Sequence, residues 1–308
     1  MINKPSLTAI VLTYNEEIHL ERCLDSIKDI CENIIIIDSF STDSTEAIAL
    51  KFNARFYQNK WVNHANQLNW GLKNINIDTD WVMRIDADEY IDNQLKEELK
   101  LNLPILANNI NGLFVKRLMY FFDKPIKKAG MYPIWHLKIW RNGSAFCEQR
   151  WMDERMKITK GETTKLQGDL IDHNLNNLTW WTQKHNNYAT REAIDILNSI
   201  YNFTNSTSNK GKLFGNNEER REWFKKRYLK LPLFIRPFIF VLIRYFLQGG
   251  FLEGKRGFVW NVLQCGWYRF LVDAKIYEAY KKSSNNREAL ITYFKAEYGY
   301  DITKFDQY

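Results

Sequence analysis

The stretch Leu7-Thr-Ala-Ile-Val-Leu12, running without a break into Thr13-Tyr-Asn-Glu16, decides the fold. A short apolar run closed by polar residues reads as a strand buried on both faces, as in a parallel sheet, where alternation gives way to continuous apolarity. The signature returns at Ile34-Ile-Ile-Ile37, which ends at Asp38, and at Trp81-Val-Met-Arg-Ile85, which ends at Asp86-Ala-Asp88. Between them the sequence predicts helices over about Glu17 to Ile30, Ala47 to Phe52 and His64 to Lys73, with a strand at Ala54-Arg-Phe-Tyr57. Ser39, Ser41 and Thr42 offer loop and N-cap chemistry ahead of the second helix. Strands alternating with helices at this spacing predict a doubly wound α/β sheet. Ligands of such sheets bind beyond the carboxyl ends of the strands. Three polar clusters converge there: Thr13 to Glu16, Asp38-Ser39 and Asp86-Ala-Asp88.

After residue 110 the pattern changes. Gly112-Leu-Phe-Val-Lys-Arg-Leu-Met-Tyr120 and His136-Leu-Lys-Ile-Trp140 predict further strands, the second turning at Asn142-Gly143, in a mixed half that covers the site. A helix is predicted from Trp180 to Leu197. The stretch Asn202 to Asn217, rich in Asn, Ser, Thr and Gly, reads as a linker or mobile loop, which sets domains at 1–215 and 216–308. At 308 residues, 45% hydrophobic and 15% aromatic, the chain is long enough for a sizeable core and too apolar for disorder. Cys23, Cys31, Cys147 and Cys265 form no CxxC pair, which argues against a disulfide framework or a structural zinc site. No signal-peptide pattern follows Met1, so a cytoplasmic chain is expected, with sequons at Asn202 and Asn205 that carry no meaning.

A strand that delivers Asp86 and Asp88 one residue apart into a loop makes a hard, oxygen-ligand site suited to Mn²⁺ or Mg²⁺. Such an ion holds a diphosphate and offsets the charge that develops on a leaving group. The competing reading is a solvated acidic turn, and the surrounding blocks decide between them. Thr8 to Glu16, Ile34 to Asp43 and Trp81 to Glu89, in that order and spacing, resemble the family 2 inverting glycosyltransferases. The chain is similar, over its whole length, to the branch of lipopolysaccharide-core β-glucosyltransferases and related O-antigen and capsule enzymes. Gln67 and Asn69, Trp140-Arg-Asn-Gly143, Asp153-Glu-Arg155, His173, Trp181 to Tyr188 and Gly249-Gly-Phe-Leu-Glu-Gly254 carry that likeness.

The resemblance implies a GT-A fold in which Thr13, Asn15, Glu16 and Asp38 line a nucleoside pocket. There Asp38 accepts from the base or the ribose, and Glu16 from ribose hydroxyls. It implies that Asp86 meets the ribose or the metal, that Asp88 is the direct metal ligand, and that His173 completes the metal shell or touches the diphosphate. An inverting transfer needs a base for the acceptor hydroxyl. The resemblance places it at Trp151-Met-Asp-Glu-Arg155, where Asp153 and Glu154 both qualify and Glu154 is slightly preferred. Lys184 and Arg191 suit a phosphate or a solvated helix face equally. The implied donor is a UDP-sugar, UDP-glucose first and UDP-galactose next, and the acceptor a lipid-linked glycan, with a protein acceptor as the alternative.

Residues 216–308 hold 17 Lys/Arg and 10 Asp/Glu, against 26 of each sign before them, so the whole surplus of +7 lies in the C-terminal third. The apolar run Leu231 to Phe251 is interrupted by Arg236 and Arg244 and is too broken to span a bilayer. Basic flanks around an aromatic face predict an interfacial helix on an anionic membrane, at the inner face of the plasma membrane. The bland alternative is an amphipathic helix packed on the catalytic domain. A basic, aromatic tail also suits a nucleic-acid binder, but that reading leaves the three acidic blocks unexplained, so no nucleic-acid partner is expected.

Overall fold

The computed structural model describes residues 6–152, 154–204 and 217–304. Asp153, most of the expected linker and the expected boundary at 215/216 lie outside the described residues. The chain divides into two units, one of residues 1–149 with 153–176 and one of 150–152 with 177–308.

The first unit is built on a nine-stranded mixed sheet. Its first half runs β1 (Leu7–Thr13), α1 (Leu20–Ile27), β2 (Asn33–Asp38), α2 (Thr45–Lys51), β3 (Arg55–Gln58), α3 (His64–Asn74) and β4 (Trp81–Asp86). β5 (Glu89–Ile91), α4 (Asn93–Asn102), β6 (Ile110–Phe121), β7 (Lys124–Pro125) and β8 (Ile134–Arg141) follow. β9 (Ala145–Cys147) and β10 (Met156–Ile158) form a separate hairpin ahead of the long β11 (Glu162–Asp172). The sheet order is β3-β2-β1-β4-β8-β6-β11-β5, with β7 on β6. The first four strands are parallel, as their apolar runs predict, and β8 enters antiparallel to β4.

Strand periodicity sorts the core into two layers. Ala9 and Val11 of β1, Ile34 and Ile36 of β2, and Met83 and Ile85 of β4 pack with Leu20, Leu24 and Ile27 of α1 and Leu95 and Leu99 of α4. Ile10, Leu12, Ile35, Ile37 and Val82 face the other way, with Ala65 and Leu68 of α3. α4 lies directly on β11, for a Cβ at Gly168 would stand 2.2 Å from the Leu95 backbone nitrogen. α1 starts later than the sequence predicts, because the Glu16 carbonyl first accepts the His19 and Leu20 N–H groups in a turn. α2 starts at Thr45, with Asp43 rather than Ser41 or Thr42 accepting from the Thr45 N–H.

The second unit is helical: α5 (Leu178–Tyr201), α6 (Asn217–Leu229), α7 (Arg236–Leu242), α8 (Gly254–Trp260), α9 (Tyr268–Ser283) and α10 (Arg287–Tyr298). α7 runs on as a π-turn, Ile243–Leu247, before a 3-10 turn at Gly250–Glu253. A second π segment, Asn261–Trp267, joins α8 to α9. α5 belongs here rather than with the sheet, since Ala189, Ala193, Ile194 and Leu197 pack with Val272 and Ile276 of α9 and Leu290 and Phe294 of α10. The apolar run 231–251 is two helical pieces, not one. Pro237 sits in the first turn of α7, where its missing N–H costs nothing, and Gly249, at φ +71°, closes the π-turn. Arg236 turns inward, its Nε donating to Asp273 Oδ1 at 2.8 Å with both side chains buried.

His185 on α5 stacks on Trp181 at 3.6 Å between ring centroids. Burial pulls its imidazole down to about 4; the Trp181 carbonyl opposes this and Lys184 adds to it. The unfolded ring titrates near 6.5, so the folded chain binds fewer protons between these values. That contribution is complete above the unfolded value and is lost as pH falls through about 4. We expect the loss to amount to about 2 kcal/mol after discounting for partial exposure. Thermal melts of the parent and His185→Phe across this range check it: the acid-side fall should be smaller in the variant.

Candidate active site

The carboxyl ends of β1, β2 and β4 bring together the residues singled out from the sequence. Asp38 closes β2, fully buried. Its Oδ1 accepts from Thr13 Oγ1 at 2.8 Å and from Ser41 Oγ at 2.5 Å; its Oδ2 accepts from the Ser41 N–H at 2.7 Å. Asn15, at φ +54°, a region that Asn tolerates better than most residues, donates its N–H to Ser41 Oγ at 2.8 Å. Its Oδ1 accepts from the Thr42 N–H at 2.8 Å. The loop after β2 is thus pinned to the end of β1 from both sides. Tyr14 and Phe40 stand exposed along these loops, and Phe40 is held at φ +63°.

Glu16 is oriented by a buried histidine. His19 Nδ1–H donates to Glu16 Oε2 at 2.6 Å, while Nε2 accepts from the Leu175 N–H at 2.9 Å, which fixes the tautomer. The Gln67 side chain is fully buried and bonds Asn59 and Ser39. Asn69 pairs with the Cys147 backbone in both directions, at 2.8 and 2.9 Å, and ties α3 to β9.

The acidic turn carries the strongest electrostatics. β8 runs antiparallel to β4 with Met83 opposite Ile139, which sets Lys138 beside the end of β4. Lys138 Nζ donates to Asp86 Oδ2 at 3.2 Å and to Glu89 Oε2 at 2.6 Å, and Arg84 Nε donates to Asp86 Oδ1 at 3.2 Å. Burial opposes charge on Asp86, yet Arg84 and Lys138 hold its carboxyl well below the usual range. Burial pushes Glu89 up to about 7 against the pull of Lys138, with Asp86 adding to the rise. Asp88 Oδ2 accepts from Asn174 Nδ2 at 3.0 Å. The Asp88 carbonyl accepts from the His173 N–H at 3.0 Å and from Arg22 Nη2 at 3.3 Å.

The comparisons with known proteins bear on this region first. Residues 8–108 match the model of glycosyl transferase family 2. The chain carries a family 2 glycosyltransferase domain. Over 298 residues, 94% of the chain and 99% of the relative, it is 27% identical to the lipopolysaccharide core biosynthesis glycosyltransferase LpsC of Rhizobium meliloti (strain 1021). An uncharacterized glycosyltransferase of Rickettsia conorii is 34% identical over 94 residues, 30% of the chain and 33% of that protein. Among solved structures, the mannosyltransferase PcManGT of Pyrobaculum calidifontis, in complex with GDP-Man and Mn²⁺, aligns at TM-score 0.50 and 13% identity. It covers 89% of this chain and 88% of that one, a likeness of fold. The mixed sheet flanked by helices is the GT-A arrangement the sequence predicts.

Within the family 2 domain and the strands that complete it, the predicted metal residues divide. Asp88 keeps one carboxylate oxygen that takes no hydrogen bond among the described residues. Both Asp86 oxygens face cations, and both His173 ring nitrogens are engaged, Nδ1 by Arg22 at 3.1 Å and Nε2 by Asp123 at 2.9 Å. No three of His, Cys, Asp and Glu gather as a metal cage among the described residues. A hard divalent ion that keeps waters and takes substrate phosphates needs only one or two carboxylates from the protein. Asp88 fits that requirement.

Glu154 lies just beyond the hairpin pair in which the Glu148 N–H meets the Arg155 carbonyl at 2.8 Å. It is close enough to Arg84 to join Asp86 in raising that guanidinium against the cost of burial. Sequence reasoning passed over Lys138, Arg22 and His19. No signal in the sequence marked the first, since a lysine ahead of Ile139 and Trp140 reads the same whether it faces water or an acidic turn.

Proposed function

We propose that the chain is an inverting, metal-dependent glycosyltransferase. It moves a hexose, glucose first, from a UDP-sugar to a hydroxyl of a lipid-linked glycan in lipopolysaccharide-core or related cell-surface polysaccharide synthesis. The observation that carries this reading is the acidic turn Asp86-Ala-Asp88, half-buried and held from four sides by Arg84, Lys138, Arg22 and Asn174, at the same sheet edge as Asp38. Likeness to LpsC over nearly the whole chain supports the acceptor class.

On this reading the end of β1 and the loop after β2 take the nucleoside. Asp38, Thr13 and Asn15 shape the pocket, and Glu16, fixed by His19, accepts from the ribose. Asp86 is kept ionised by Arg84 and Lys138 for the ribose or the ion. Asp88 holds Mn²⁺ or Mg²⁺, with His173 and Arg22 setting the turn's height through its carbonyl. An ion held there would offset the charge on the departing diphosphate. Glu154 or Asp153 takes the proton of the acceptor hydroxyl as it attacks from the opposite face.

A donor screen against a synthetic lipid-diphosphate sugar, with and without EDTA, tests the reading. Turnover of a UDP-hexose that stops on chelation is the expected outcome; no transfer from any sugar nucleotide, or full turnover in EDTA, overturns it. Glu154→Gln is expected to lower turnover about 10²-fold with donor binding retained, with Asp153→Asn as its control. Near-normal turnover in both variants would place the base elsewhere.

A further inference from the structure

We propose that the apolar ridge formed by α7, its π-turn and the following 3-10 turn is the surface by which the second unit docks on an anionic membrane. The inference rests on the lipid-linked acceptor proposed above and names the residues that make the contact. Ile235, Phe238, Leu242 and Phe246 recur every three or four residues, as one side of a helix requires. None is sealed in a core: Phe238 is 63% exposed, Leu242 55%, Phe246 57%, and Leu247, at the tip, 81%. Phe238 meets Phe270 of α9 at 6.3 Å, and Tyr245 meets Phe251 at 6.3 Å, so the apolar surface is continuous beyond the helix. Folded proteins rarely leave so large a contiguous apolar face uncovered without a partner for it.

Charge selects the partner. Between Glu222 and Glu253 the sequence has six basic residues, Lys225, Lys226, Arg227, Lys230, Arg236 and Arg244, and no acidic one. Arg236 is neutralised by Asp273 and Lys225 by Asp195, while Glu253, the acid that closes the 3-10 turn, is paired with Arg256 and largely buried. Lys226, Arg227 and Lys230 are exposed. Apolar side chains amid charges of one sign fit a surface that is itself of one sign with an apolar layer beneath, which anionic lipid provides and a protein of mixed charge does not. No helix of the described residues is long and apolar enough to cross a membrane, so the contact is interfacial.

The test is flotation of the full chain with phosphatidylcholine vesicles, alone or mixed with phosphatidylglycerol. Binding should require phosphatidylglycerol, weaken as salt rises from about 0.1 M to about 1 M, and leave a salt-resistant remainder. Phe246→Ser with Leu247→Ser, both exposed, should lower binding about tenfold or more at either salt, with the same melting temperature and donor binding. Lys226→Glu with Arg227→Glu should lower only the low-salt binding. The proposal is overturned if the parent ignores anionic vesicles or if the serine pair binds like the parent. It is also overturned if the parent is a dimer that the serine pair splits, for then a second copy covers the ridge. Loss of sugar transfer in a protein that still floats would instead sink the proposed activity and leave the docking surface standing.

Discussion

Asp88→Ala is expected to lower sugar transfer about 10³-fold while leaving the melting temperature nearly unchanged. The geometry separates the two effects. Asp88 is half-buried, and its carboxylate accepts one hydrogen bond, from Asn174, so its removal strands a single amide that solvent reaches. The turn itself is held through the backbone, by the His173 N–H and Arg22 on the Asp88 carbonyl, and alanine keeps that carbonyl. A side chain that contributes so little to the fold, at the sheet edge beside Asp86, is the one we propose as the metal ligand. Titration of Mn²⁺ against the parent and the variant, in the presence of UDP, checks the assignment independently of turnover. Unchanged affinity in the variant would remove Asp88 from the metal site.

Lys138→Met is expected to cost about 3–5 kcal/mol in stability, the cost of breaking a buried ion pair from one side. Lys138 and Glu89 are each nearly inaccessible, and Lys138 is the only basic side chain within hydrogen-bond reach of Glu89 among the described residues. Asp86 keeps Arg84 and suffers less. Adding Glu89→Gln should restore much of the loss, because the amide leaves no uncompensated charge and still accepts the Asp86 N–H through its oxygen. Chemical denaturation of the parent, both single variants and the double variant measures the coupling. Additive losses would mean that the lysine does not act through Glu89, leaving Asp86 and packing as its contributions.

The parallel half of the sheet was legible because β1, β2 and β4 are buried on both faces, and burial of that kind leaves unbroken apolar runs in sequence. The acidic turn was legible for the same reason, since a carboxylate pair that ends such a run has one place to go. Lys138 and Arg22 were not. A single lysine in a strand of eight residues, or an arginine on an amphipathic helix, looks the same in sequence whether it faces water or an acidic turn. What distinguishes them is the register of β8 against β4 and the approach of residue 173 to residue 88, both long-range pairings. The unit to which α5 belongs was hidden for a related reason: periodicity shows that a helix has an apolar face but not which partner covers it. The exposed ridge of α7 was anticipated in kind, though not its break at the π-turn.

The turn at Asp86 to Asp88 spans from β4, in the middle of the sheet, to β5 at its edge, and among the described residues β5 has one strand partner, β11, with Tyr90 opposite Ile171. The partners are 81 residues apart in sequence. As the chain leaves the ribosome, its first 108 residues therefore contain both aspartates and the α1 contacts of β5, Ser26 Oγ on the Ile91 N–H and Arg22 over Tyr90, but not the strand that pairs with β5. Closing so long a loop comes late and slowly. The proposed nucleoside end of the site, made from β1, β2 and the loop from β2 to α2, can form from local contacts well before. A nascent chain would thus complete the proposed donor site in two instalments, with the acidic turn gaining its last support only when the final strand of the sheet is made.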